Sequence, residues 1–180
     1  VMNPAEDGFS AMLNYSLEPE IYGFKILQEF ISFLNGRHWK IHIKIDTGMH
    51  RLGFEEADIE KLLKALSENK NLEVASIFTH LAGSDESEHD KFSNLQAEAF
   101  LKLADKVSDI IGYKPILHTL NTPGILRFPE LQLGMVRLGV GLYGVDPTNN
   151  NHNLKPVTTL KTIISQIREV KAGESIGYSR

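Results

Sequence analysis

The chain has 180 residues, 42% of them hydrophobic and 23% charged. That is ordinary globular usage, enough for one domain with a real core, and it excludes disordered or collagen-like character. Nineteen Lys plus Arg against twenty-three Asp plus Glu give a net charge of −4, which offers no general attraction to nucleic acid or an anionic membrane. The absence of cysteine removes disulfides, thiolate catalysis and Cys-ligated metal centres, and no metal site is expected. No stretch approaches the ~18 apolar residues of a membrane span, and Val1 to Asp7 has neither the basic nor the apolar region of a signal peptide. A cytoplasmic protein is expected.

In chain order, short β-type runs alternate with helix-period segments, as in βα units around a parallel sheet. Leu17 to Tyr22 reads as a strand. Ile26, Leu27, Phe30, Ile31 and Leu34 then recur at helical spacing, and Asn35-Gly36 supplies the stop. Trp39 to Ile45 alternates strictly and predicts a strand, with Trp39, Ile41, Ile43 and Ile45 on one face and Lys40, His42 and Lys44 on the other. A helix from Glu55 carries Ile59, Leu62, Leu63 and Leu66, and a strand follows over Leu72 to Leu81. The longest helix is predicted over Glu88 to Ile111, with Phe92, Leu95, Ala99, Leu103, Val107 and Ile110 as its buried stripe and Gly112 as its stop. Ile116 to Leu120 reads as a strand, Thr122-Pro123 as a helix N-cap with Pro at the first position, and Met135 to Tyr143 as a Gly-rich strand.

The Asn-rich stretch between Pro147 and Pro156 reads as a linker. Beyond it, β-branched residues from Thr158 to Val170 and a turn at Lys171 to Glu174 predict the start of a β domain. The domain reading is therefore 1–146, a linker at 147–157, and a β segment at 158–180. Five strands, with Val1-Met2 as the remnant of a sixth, fit about strands three to eight of an α/β (β/α)₈ TIM-type barrel, which needs eight strands and about 250 residues. An open doubly wound sheet is the structural alternative.

In a barrel the apolar face of Trp39 to Ile45 meets the helices. Lys40, His42 and Lys44 then face the lumen, where buried cations need partners. Asp46 to Arg51 falls at the carboxyl end of that strand, where barrel enzymes build their sites.

The segment Lys44-Ile45-Asp46-Thr47-Gly48-Met49-His50-Arg51-Leu52-Gly53 resembles the signature loop of alanine racemases. Three further motifs follow in that family's order: Phe78-Thr79-His80-Leu81, His118-Thr119-Leu120-Asn121-Thr122, and Met135-Val136-Arg137-Leu138-Gly139-Val140 with Tyr143-Gly144. The likeness covers essentially the whole chain. It implies a pyridoxal 5′-phosphate enzyme of fold type III, with an N-terminal barrel and a C-terminal β domain. That enzyme racemises alanine, supplies D-alanine for the bacterial cell wall, and works as a homodimer.

Carried over residue by residue, Arg137 is the arginine facing the cofactor's pyridine nitrogen. A guanidinium donates and never accepts, so it leaves that nitrogen unprotonated and the ring a weaker electron sink. An arginine there also argues against the decarboxylases of this fold, which place an acidic residue at that nitrogen. Arg51 matches the arginine at the cofactor's phenolic oxygen, close to the substrate carboxylate. Lys44 matches a lysine often carbamylated in the family. Capture of carbon dioxide needs the neutral amine, which burial favours, and the alternative is an unmodified lysine paired with Asp46. His80 matches a supporting histidine that hydrogen-bonds the arginine at 137, and Asn121 is a further support. Thr122, Gly139 and Val140 match the phosphate-binding positions. Tyr178 matches the catalytic tyrosine that acts in the partner subunit's site, one of two opposed bases.

The second base is the cofactor-binding lysine, which belongs in an Ala-x-x-Lys-Ala-x-Ala-Tyr-Gly type motif. No such motif occurs here. The chain is therefore expected to be a central piece of the enzyme, inactive alone. Other readings are a serine or broad-specificity racemase of the same fold type, and a non-catalytic barrel module that binds a phosphate or a partner.

Overall fold

The computed structural model describes residues 1–148 and 152–178. Its centre is a four-stranded parallel sheet, β1 (Glu20–Ile21), β2 (Trp39–Lys44), β3 (Leu72–Phe78) and β4 (Ile116–His118), arranged in the order β1-β2-β3-β4. Chain order and spatial order coincide, so the described sheet has no switch point of the doubly wound kind. The α/β fold is that of a partial barrel, in which each strand lies beside its predecessor.

Helices α1 (Phe9–Asn14), α2 (Phe24–Leu34), α3 (Ile59–Glu68), α4 (Asp90–Ile111) and α5 (Thr122–Arg127) connect and flank the strands. The expected stops hold. Asn35 caps α2 in the left-handed conformation, and Gly112 does the same for α4. Helix α1 lacks the length to show a clear period in the sequence, yet it places Phe9 and Met12 in the core, where Phe9 meets Phe30 edge-on at 5.1 Å.

One hydrophobic cluster lies between sheet and helices. Ile21, Ile41, Ile43, Ile45, Leu72, Val74 and Ile77 meet Leu27, Phe30, Leu62, Phe100 and Val107 there. A register shift between Ile41 and His42 changes the parity of β3, so Val74 and Ile77 share the helix side while Ser76 and Phe78 turn to the other. The expected inside-out orientation of β2 is what the structure shows for its carboxyl half. Lys40, near the amino end, is instead half-exposed and pairs with Glu73 at 3.7 Å.

Several expectations are corrected. The buried face of α4 is Ser93, Gln96, Ala97, Phe100, Leu103, Ala104 and Val107, whereas Phe92, Leu95 and Ile110 are exposed. A purely apolar stripe misplaces this face because Gln96 is buried for its hydrogen bonds. Its amide accepts from the Ala82 N–H and donates to the His80 carbonyl. The N-cap of α5 is Asn121 rather than Thr122, its Oδ1 accepting from the Gly124 N–H at 3.1 Å.

Met135 to Tyr143 forms no strand. Gly134 and Arg137 donate backbone hydrogen bonds to Leu117 and Leu120, too few for a ladder, and Val140–Tyr143 turns as a 3₁₀ helix. The expected β segment at 158–180 likewise forms no strand among the described residues. Leu160, Ile163, Ile164 and Ile167 are all exposed there, because a β-branched run gains from extension only when a second strand pairs with it. Part of the expected linker, 149–151, and the last two residues of the tyrosine segment, 179–180, lie outside the described residues. No described helix is long and apolar enough to cross a membrane.

Candidate active site

The face of the sheet opposite the helices carries Glu20, His42, Lys44, Ser76, Phe78 and His118, and Arg137 lies against it. These groups form a connected floor. Arg137 donates from Nη1 to His118 Nδ1 at 2.6 Å and to the His118 carbonyl at 3.2 Å, and from Nη2 to the carbonyls of Thr79 at 2.7 Å and Thr119 at 3.1 Å. All four Nη hydrogens are thereby committed within the protein. Nε–H is the donor left over, since no described residue accepts from it.

Because Arg137 only donates, His118 Nδ1 must accept, and the ring proton sits on Nε2. That proton points to Ser76 Oγ at 3.0 Å. Ser76 Oγ lies 2.6 Å from His42 Nδ1, and His42 Nε2 lies 2.8 Å from the Glu18 carboxylate, an acceptor. A donor-only group at one end and an acceptor-only group at the other give the chain Arg137, His118, Ser76, His42, Glu18 a single direction. Burial first, then the charge of Arg137, pushes the His118 pKa down to about 3, so the ring is neutral. Phe78 stacks on it at 4.8 Å, and burial pulls Arg137 itself down to about 10, with Glu20 acting in the opposite direction.

Arg51 is positioned by Asp46. At the end of β2 the Asp46 carboxylate accepts from the backbone N–H groups of Gly48 (2.8 Å), Met49 (2.9 Å), His50 (3.1 Å) and Arg51 (3.1 Å). Gly53 closes the loop at φ 130°, where a Cβ would lie 2.6 Å from the Asp46 nitrogen, so only glycine fits. The Arg51 side chain is exposed at the rim.

His80 is half-buried and does not bond Arg137. Its Nε2 faces Asn121 Nδ2 at 3.5 Å, while His118 makes the arginine contact expected of it. Position 80 lies beyond the end of β3, whereas position 118 is on β4 facing the floor. His118 is thus a site residue that motif reading passed over, although it opens a quoted motif and the strand alternation could have flagged it. Burial first, then the charges of Arg137, Arg51 and Lys44, lower the His80 pKa to about 4, which places those three cations around one neutral ring.

Asn121 accepts from Ser84 Oγ at 2.7 Å and from Gly124, and so fixes the start of α5. Thr122 Oγ1 accepts from the N–H groups of Gly139 (3.0 Å) and Gly141 (3.1 Å), which draws the 139–141 backbone over the threonine hydroxyl. A Cβ on Gly141 would fall 2.7 Å from Thr122 Cγ2. Val140 is exposed beside them. With both glycine amides committed to the hydroxyl oxygen, the Thr122 O–H and the Val140 N–H are the donors left there for an anion.

Lys44 pairs with Glu20 at 3.5 Å, not with Asp46, whose two oxygens serve the loop. Tyr178 is fully exposed in an irregular segment and is not brought to this site.

The family model described as alanine racemase, N-terminal domain, matches residues 1–147. The alanine racemase of Clostridium tetani is 35% identical over 176 residues, covering 93% of this chain and 45% of that protein. Among solved structures, alanine racemase from Corynebacterium glutamicum superposes with a TM-score of 0.75 at 27% identity, covering 86% of this chain and 44% of that one. The alanine racemase of Bartonella henselae with covalently bound pyridoxal phosphate superposes with a TM-score of 0.71 at 23% identity, covering 85% and 42%, and shows the shared fold. The chain spans about half the length of the curated relatives it matches. With that family model matching residues 1–147 of its 180, the chain belongs to the alanine racemase N-terminal domain family.

Proposed function

We propose that the protein containing this chain interconverts L- and D-alanine with pyridoxal 5′-phosphate, and that these residues form the cofactor half of the site. The observation that carries the reading is Arg137. Its four Nη hydrogens are held by His118, Thr79 and Thr119, so the guanidinium is fixed in place with Nε–H available to a ring nitrogen. The residues present fit the cofactor. The Thr122 O–H and the Val140 N–H, on a turn that Gly139 and Gly141 tie to Thr122, would hold its phosphate, and Arg137 its pyridine nitrogen.

When bound, pyridoxal phosphate supplies an electron sink for the α-carbon of an amino acid. Arg137 donates to the ring nitrogen without passing it a proton, because the guanidinium stays charged, and so limits that sink. Arg51, held at the rim by the Asp46 loop, binds the substrate carboxylate and the phenolic oxygen. His80 and Asn121 are neutral packing and hydrogen-bonding groups beside the ring.

Tyr178 moves the proton on one face of the α-carbon in the site of a partner copy, as its full exposure in this protomer permits, and a lysine in the missing motif serves the other face. The working form is a homodimer in the cytoplasm, making D-alanine for peptidoglycan. The 180 residues by themselves bind the cofactor without a covalent bond and do not racemise alanine.

The test is titration of the full chain with pyridoxal phosphate, followed by quenching of Trp39, and then borohydride treatment and an L-alanine assay. Saturable binding lost in Arg137→Leu, no borohydride-fixed adduct and no D-alanine are expected. Binding indifferent to Arg137→Leu would refute the site assignment, and turnover would refute the assignment of the second base to a lysine outside these residues.

A further inference from the structure

Ser76 is wholly buried in the middle of β3, on the floor side of the sheet. Its neighbours across the sheet are His42 on β2 and Ile116 on β4. Both partners of its hydroxyl are imidazole nitrogens, His42 Nδ1 at 2.6 Å and His118 Nε2 at 3.0 Å. His118 is itself 3% exposed, so the loss of one oxygen atom at Ser76 opens neither a path to bulk water nor a space large enough for a bound one. Among the described residues the His118 Nε2–H has no other acceptor.

We propose that Ser76 is a positioning residue for Arg137: its hydroxyl holds the His118 ring in the one tautomer and rotation that accept from the guanidinium, and so keeps Arg137 fixed with its Nε–H uncommitted. The inference deepens the functional reading, and rests on it only for the statement that the cofactor's pyridine nitrogen meets that N–H.

A neutral imidazole carries one N–H and one acceptor nitrogen. Burial keeps the His118 ring neutral. With the proton on Nδ1, an N–H would face Arg137 Nη1 across 2.6 Å, two donors with nothing to accept. With the proton on Nε2 the Arg137 contact is made, but a buried N–H must then be answered on the far side of the ring, and Ser76 Oγ answers it. Only a group that accepts and donates at one atom can serve there, because the same oxygen must also satisfy His42 Nδ1, whose ring turns its Nε2–H to the Glu18 carboxylate. A hydroxyl does both. Without it, the contact that fixes Arg137 carries an orphaned donor, and the ring gains by turning away from the guanidinium. His42 and Glu18 matter less to that hold, since their side chains are 28% and 37% exposed and water can stand in for either.

Nitrogen-15 NMR of the full chain, first without cofactor, gives the decisive reading. The unaltered protein is expected to show His118 with Nδ1 bare and Nε2 protonated, and separate Arg137 Nη resonances from a guanidinium that does not rotate. Ser76→Val, which fills the space without a hydroxyl, is expected to lose the His118 Nε2–H signal and to merge the Arg137 Nη resonances. Ser76→Thr, which restores the hydroxyl, is expected to recover both. Pyridoxal phosphate should bind about tenfold more weakly to Ser76→Val, the size of one hydrogen bond from a charged donor. A role in packing alone would lower the urea midpoint of the valine variant and leave these resonances in place, and that result overturns the proposal. Ser76→Ala, the smaller change, serves with the same expectations should the valine variant fail to fold. Merged Arg137 resonances in Ser76→Val, with pyridoxal phosphate binding indifferent to both that change and Arg137→Leu, would sink the functional reading and leave the positioning role standing. Binding lost in Arg137→Leu, with unmoved resonances in Ser76→Val, would do the reverse.

Discussion

Replacing Asp46 by alanine should disconnect the loop that carries Arg51 from the sheet. Four backbone N–H groups converge on one carboxylate, those of Gly48 and Met49 part-buried and those of His50 and Arg51 exposed. Water can replace the acceptor for the exposed pair, so the loss comes mainly from the other two. At about 1–1.5 kcal/mol for each such bond, the change should cost about 2–3 kcal/mol. Burial alone would raise the Asp46 pKa, but the four amides outweigh it and hold the group below its usual 3.8. The unfolded chain therefore takes up this proton before the folded one. The stabilisation is complete above pH 3.8 and disappears as the pH falls through the lower folded value. Urea unfolding followed by Trp39, the one tryptophan, measures the difference at neutral pH, and amide exchange at Gly48 and Met49 localises it. Because the Arg51 charge helps to depress His80, the variant should also let the His80 pKa rise from about 4. Unchanged exchange at 48 and 49 with an unmoved His80 titration would refute the view that Asp46 builds the rim.

Gly141→Ala places a methyl group 2.7 Å from Thr122 Cγ2 and 3.0 Å from Leu138 Cδ1, and should lower stability by about 1–3 kcal/mol in urea unfolding while weakening pyridoxal phosphate binding in the same titration. His118, at about 3 when folded against 6.5 when free, gives stability that is full above pH 6.5 and erodes as the pH drops toward 3, because the unfolded ring takes a proton the folded ring refuses. NMR titration in Arg137→Leu should move this pKa upward.

The strand over Trp39 to Lys44 was legible because its alternation is strict and one face is wholly apolar. The two long helix stops were legible for an equally local reason, a residue able to adopt the left-handed conformation just past the last apolar position. What local pattern could not show is partnership between strands. His42, Ser76 and His118 come from three of them, and their hydrogen-bonded line exists only because parallel pairing sets Ser76 beside both His42 and Ile116. Motif matching sent the arginine contact to His80 when register gives it to His118. The same reasoning covers Met135 to Tyr143 and the β-branched run after Thr158. Strand propensity there is real, but propensity without a paired neighbour does not make a ladder.

The division between floor and walls follows from how each meets its hydrogen-bonding and charge requirements. On the floor, each strand is flanked by another, so the polar side chains are held to within hydrogen-bond reach of their partners: Glu20 with Lys44, Glu18 with the His42 ring, the Thr79, His118 and Thr119 carbonyls with Arg137. From residue 138 onward, Leu138, Val140, Leu142, Tyr143 and Val145 are exposed together, and Tyr178 stands free. Exposed apolar residues grouped in this way mark a surface suited to a covering partner. Under the proposed function, substrate selection falls to whatever packs against 138–145, whereas the groups that hold the Arg137 guanidinium, from Thr79, His118 and Thr119, all lie among the described residues. Changes at 138–145 should accordingly alter which amino acid is accepted and leave the Arg137 to Glu18 line, with its low His118 pKa, unmoved.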